Sequence, residues 1–183
     1  MVRLVQYSMN QPIMRFALWS NIALMLVATA CDEQSIDSPV PQYNVSCSIS
    51  LATEGGTEPG AVALSVMGGW CTIRQWTTLT SNLGVCGLLV CHDLFDERQY
   101  HAYDLCCPYC YQQSNHSNLQ PTEMQLLDES ALGYGLVCPA CESEFGYVLQ
   151  GIPSSSKGPA NADNVNLRRY KAYQAGEVVY VVK

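Results

Sequence analysis

The chain has 183 residues, enough for one domain with a proper core. It carries 16 acidic against 9 basic residues, a net charge of −7, which argues against nucleic acid as a partner because the phosphates would repel it. Only 14% of residues are charged and 9% are aromatic, which argues against a disordered chain, and 10 cysteines make the fate of the thiols the main question.

Arg3 and Arg15 precede an apolar run from Phe16 to Ala30. A basic start, a short apolar core and small residues before a cut describe a secretory signal peptide over residues 1–30. The run is too short for a comfortable transmembrane helix. Met14-Arg15 opens a more compact signal, so Met14 is an alternative start. The string Ala28-Thr29-Ala30-Cys31 resembles a bacterial lipobox, with Ala28 where leucine or valine is more usual. That resemblance implies a lipid on Cys31, membrane attachment through it, and a place in the bacterial cell envelope outside the cytoplasm. An ordinary cleaved signal with a free Cys31 is the alternative. Asp32 to Pro41 is polar with two prolines, so residues 31–41 read as lipidated cysteine and tether, ahead of a domain over 42–183.

Within the domain, Tyr43, Val45, Cys47 and Ile49 share one face of a half-buried strand over Val40 to Ser50. Thr53 to Gly60 is loop, and Ala61 to Met67 is strand-like, with Gly68-Gly69 turning into a further strand from Trp70 to Trp76. Thr77 to Gly84 is polar loop. Val85 to His92 and Tyr100 to Asp104 read as a hairpin across the charged turn Asp93 to Gln99. Tyr111 to Ser130 is a polar insertion with at most a short helix near Glu123 to Glu129. Gly133 to Val137 leads into a loop, Phe145 to Gln150 is a strand, and Pro153 to Pro159 is a Ser/Gly/Pro loop. Leu167 to Tyr173 and Val178 to Val182 close the chain as strands around a turn at Gly176. Many short strands and no long helix predict an all-β class.

Two cysteine knuckles stand out, Cys107-Pro108-Tyr109-Cys110 and Cys138-Pro139-Ala140-Cys141, separated by residues 111–137. Each Cys-x-x-Cys bends the backbone so that two thiolates point at one centre, and a pair of them supplies four sulfur ligands. That donor set suits tetrahedral zinc or an iron–sulfur cluster. Disulfides among the four are the third fate, permitted in an exported protein. Cys-Pro-Tyr-Cys also resembles a glutaredoxin active-site string, but that chemistry needs the first thiol at a helix N-terminus, and Tyr111 to Asn115 does not start an amphipathic helix. Cys106 is a spare ligand or a disulfide partner, while Cys47, Cys71, Cys86 and Cys91 lie in strand-like segments and read first as buried apolar residues, with disulfides between neighbouring strands possible. His92 and His101 flank the charged turn and read as surface residues. His116 lies in the polar insertion, and no spacing requires it as a ligand. Glu142 and Glu144 read as a solvated face.

From Val85 onward the region resembles the Rieske [2Fe–2S] domain. The residues that carry the resemblance are Ala102-Tyr103-Asp104 before a Cys-Pro, Cys-Pro-Ala-Cys-Glu-Ser-Glu-Phe from 138, Gly151, Gly158-Pro159-Ala160, and the closing strands. Together with the lipobox-like string it looks like a set of bacterial lipoproteins carrying divergent Rieske domains. The resemblance implies a stack of small antiparallel sheets with two cysteine-bearing loops, and a one-electron carrier with a redox partner rather than an enzyme with its own substrate. Rieske centres use two histidines on one iron. Here Tyr109 and Cys141 stand in their places, and Glu142 replaces the usual glycine. A cluster would then need Cys107, Cys110, Cys138 and Cys141, and an all-thiolate site would sit at a potential on the order of −400 mV. Zinc, or no metal in a disulfide-bonded binding or structural module, is the alternative.

Overall fold

The computed structural model describes residues 38–52, 63–74, 82–114, 121–127, 135–146, 148–151 and 154–183. The expected signal peptide, Cys31 and His116 lie outside the described residues, as does most of the expected tether. In chain order the elements are β1 (Ser46–Ser50), β2 (Trp70–Ile73), β3 (Leu88–His92), β4 (Tyr100–Asp104), α1 (Pro108–Gln113), β5 (Gln125–Leu127), β6 (Gly135–Val137), β7 (Glu144–Gly146), β8 (Ser154–Lys157), α2 (Pro159–Ala162), β9 (Arg169–Ala175) and β10 (Val178–Val182). Among the described residues all strand pairs are antiparallel. They form a six-stranded sheet in the order β1-β10-β9-β4-β3-β2 and a four-stranded sheet in the order β5-β6-β7-β8. The small sheet is thus an insertion between β4 and β9, and both knuckles belong to it. The class is all-β, as the sequence predicts. Among the described residues no helix is long and apolar enough to cross a membrane.

Strand period explains which faces are covered. In β1, Cys47 and Ile49 are buried and Ser46 and Ser48 exposed. Strands β3 and β4 are buried at every position, because apolar groups cover both faces. Leu88, Val90, Tyr100 and Ala102 join β1 and β10 in one core cluster. Leu89, Cys91 and Tyr103 join Leu136, Phe145, Cys107 and Cys138 in the other. The second cluster seats the knuckles on the large sheet.

Several local expectations change. The folded unit begins before residue 42: Val40 is fully buried, and the Arg168 guanidinium donates to the Val40 and Ser38 carbonyls. Ala63 to Gly69 is a tight turn, not a strand, closed by bonds from Val66 N to Ala63 O and from Gly69 N to Val66 O. The segment near Glu123 is extended rather than helical: Glu123 bridges to Cys106 and β5 follows. The Ser/Gly/Pro loop contains β8, paired with β7, while the strand expected over Phe145 to Gln150 stops at Gly146 and a 3-10 turn follows at Val148–Gln150. A short helix does begin at the first knuckle, with Pro108 in its first turn.

His92 and His101 are not surface residues; both are buried. The His92 ring nitrogens face the Leu64 and Glu97 carbonyls at 2.9 and 3.0 Å. His101 Nε2 lies 2.8 Å from Asp93 Oδ2, and Arg169 Nη2 lies 3.0 Å from His101 Nδ1. A guanidinium can only donate, so Nδ1 accepts and Nε2–H donates to the carboxylate. Burial, then the nearby Arg169 charge, lowers the His101 pKa against the pull of Asp93. Burial raises the Asp93 pKa, but bonds from His101 and from the Phe95 and Asp96 amides outweigh it and the net shift is down.

Candidate metal centre

Each knuckle is shaped by its own backbone bonds. In the first, Cys107 caps α1, Pro108 fixes the first helical residue, and the Tyr111 amide donates to the Cys107 carbonyl at 3.0 Å. The turn ends at Ser114, whose amide donates to the Cys110 carbonyl at 3.1 Å. The Cys107 amide donates to the Thr122 carbonyl at 2.8 Å, which clamps the loop from its far side. In the second, the Glu142 amide donates to the Cys138 carbonyl at 2.9 Å and the Cys138 amide to the Ser143 carbonyl at 3.0 Å. Closing this loop puts Glu142 at φ 57°, the left-handed region where a side chain costs about 1–2 kcal/mol. That is the physical reason glycine suits this position.

The two knuckles meet. The sulfur atoms of Cys107, Cys110, Cys138 and Cys141 all lie within 4.8 Å of one another. Cys107 Sγ is 3.7 Å from Cys141 Sγ, and Cys110 Sγ is 3.6 Å from Cys138 Sγ. Both distances are far above the roughly 2.05 Å of a disulfide. Cys107 and Cys138 are buried in the core, while Cys110 and Cys141 are half-buried at its edge. All four residues the sequence singles out are therefore brought together, and they can hold a metal ion.

The surroundings support that chemistry. Burial, partly offset by a backbone bond at Cys110, raises the Cys107 pKa, and the neighbouring Cys138 and Cys110 thiols add to it. Burial, then the Cys138 and Cys141 thiols, pushes Cys110 up to about 12. A metal ion binds such groups as thiolates, so binding releases their protons. Cys141 goes the other way: burial raises its pKa, but the Ser143 hydroxyl and amide outweigh it and lower the net value. Ser143 is fully buried, with its Oγ 3.2 Å from Cys141 Sγ and accepting the Ala160 amide at 3.1 Å. Sequence reasoning missed Ser143; its place two residues after a ligand cysteine was the available signal. Gly158 lies against the same turn, and a Cβ there would meet Ser143 Cα at 2.7 Å. So Gly158-Pro159-Ala160 packs on the second knuckle. Glu144 pairs with Lys157 Nζ at 2.9 Å, and Glu142 is exposed.

Comparisons with known protein families, with curated proteins and with solved structures find no match for this chain.

Proposed function

We propose that Cys107, Cys110, Cys138 and Cys141 bind a single tetrahedral metal ion, zinc by the character of the donors, in a lipid-anchored structural module of the cell envelope. The observation that carries this reading is the tightness of the thiol cluster. A zinc–thiolate bond of about 2.3 Å gives a tetrahedral edge of about 3.8 Å. Two of the edges here are 3.6 and 3.7 Å. In a [2Fe–2S] cluster each iron takes two thiolates and sulfides bridge the irons, so thiolates of different irons lie on the order of 5–6 Å apart. That exceeds the 4.8 Å that contains all four sulfurs. Four protein ligands leave no open position for water, which argues for a structural rather than a hydrolytic site. The ion would tie α1 to the β6–β7 hairpin, two segments otherwise joined through a long polar insertion.

A second reading, electron transfer through a [2Fe–2S] centre, is favoured by the seating of Gly158-Pro159-Ala160 against the second knuckle, where the Rieske resemblance implies such a loop. It requires the thiolate pairs to part before a two-iron unit fits between them. X-ray absorption on the full chain separates the two. A lone sulfur shell at about 2.3 Å supports the single ion. A short metal–metal vector overturns it in favour of the cluster.

A further inference from the structure

We infer that Cys86 and Cys106 form a thiol pair built to close into a disulfide beside the metal centre. The register of β3 with β4 leads there. Leu88 pairs with Asp104, and the Leu105 amide donates to the Gly87 carbonyl at 3.0 Å. The ladder ends there, because Gly87 turns at φ 102° and the Leu105 carbonyl accepts the Met124 amide. Beyond it, Cys86 and Cys106 are held together by one carboxylate. Asp104 fixes both backbones: its Oδ1 accepts the Cys86 amide at 3.2 Å and the Cys106 amide at 2.9 Å. The Cys86 and Cys106 side chains also interact directly. Both are free thiols, Cys86 half-buried and Cys106 fully buried.

The difference in exposure sets the order of events. The Cys86 thiolate attacks one sulfur of an external disulfide and expels a thiolate, leaving a mixed disulfide. The Cys106 thiolate then attacks the Cys86 sulfur, expels the second thiolate and closes the bond. Two electrons pass from the cysteines to the external disulfide, and two protons pass through solvent to its thiolates. The oxidant class is a disulfide, of the kind that thiol–disulfide oxidoreductases present outside the cytoplasm. The product pins the residue next to Cys107 to the turn that leads into β3. The bond therefore stiffens the first ligand loop without using any of the four ligands.

The test uses the full chain in mild detergent, zinc-loaded, treated with glutathione disulfide, alkylated and mapped by mass spectrometry. Wild type is expected to lose two titratable thiols and to yield a Cys86–Cys106 linked peptide. Cys106→Ser is expected to stop at a glutathione adduct on Cys86, and Cys86→Ser to leave Cys106 unmodified. Zinc release to a chelator is expected to slow several-fold in the oxidised form. The inference is overturned if both cysteines remain alkylatable, if wild type stops at the glutathione adduct, or if linked peptides join Cys86 or Cys106 to other cysteines instead. The same mapping on metal-free protein keeps the two readings apart. A chain that binds no metal but forms the Cys86–Cys106 bond would sink the metal reading and leave this one standing.

Discussion

Asp104→Asn tests whether the carboxylate behind the first knuckle organises it. Asp104 is fully buried at the end of β4. Oδ1 accepts the Cys86 and Cys106 amides at 3.2 and 2.9 Å, and Oδ2 accepts the Val85 amide at 2.8 Å and the Tyr170 hydroxyl at 3.1 Å. Asparagine keeps the shape but turns one acceptor atom into a donor. With the amide nitrogen on the Oδ1 side, the Cys86 and Cys106 amides both face a donor; on the Oδ2 side only the Val85 amide does, because the Tyr170 hydroxyl can turn to accept. The second arrangement is therefore preferred and leaves one buried amide unsatisfied, at about 1–3 kcal/mol. The expected loss is about 2 kcal/mol, which for a domain of this size lowers Tm by roughly 4–8 °C. The pH dependence gives an independent check. Burial raises the Asp104 pKa although the amides and Tyr170 oppose it. A carboxyl whose folded pKa is raised binds more protons folded than unfolded, so its contribution falls as pH rises from about 4 through the folded value. Asparagine removes that slope. Urea and thermal unfolding of wild type and variant across pH measure both effects. A change under about 0.5 kcal/mol at neutral pH, with an unchanged pH slope, would refute the reasoning.

Three further outcomes are expected. His101→Gln should flatten the acid side of the stability curve. A lowered histidine pKa contributes stability that is present above about pH 6.5 and lost as pH falls towards the folded value, at up to about 1.4 kcal/mol per unit. Asp93, whose folded pKa is also lowered, adds a loss below about pH 4 that the variant should keep only in the part due to the Phe95 and Asp96 amides. Glu142→Gly relieves the residue at φ 57° and should raise stability by about 1 kcal/mol in thermal unfolding of the metal-loaded chain. Cys138→Ala should abolish stoichiometric metal binding in equilibrium dialysis and make the Tm insensitive to a chelator, whereas wild type should lose several degrees when the metal is removed.

The parts of the fold that the sequence makes legible are those whose side chains report burial. The alternation of Val45, Cys47 and Ile49, the apolar runs at β3 and β10, and Gly176 at its turn all carry that signal. The four knuckle cysteines were legible because two Cys-Pro-x-Cys strings admit few other uses. Strand β8 was not, since Ser-Ser-Ser-Lys on an edge has no apolar face to betray it. The turn at Ala63 to Gly69 reads as a strand because Leu64 is buried by tertiary packing rather than by a pleat. His92 and His101 looked exposed because partners that bury them, such as Leu64 and Arg169, are distant in the chain. Ser143 and Asp104 act through backbone amides, and no spacing in the sequence reveals which amides a side chain will meet.

Metal and sulfide analysis, with a visible spectrum, of the full chain purified without air and without added metal bears most directly on the central claim. A single zinc per chain, no acid-labile sulfide and no colour are expected. A brown protein with paired iron and matching sulfide would contradict that claim and make the Rieske-like electron carrier the function. A metal-free protein with Cys107, Cys110, Cys138 and Cys141 oxidised to disulfides would contradict both.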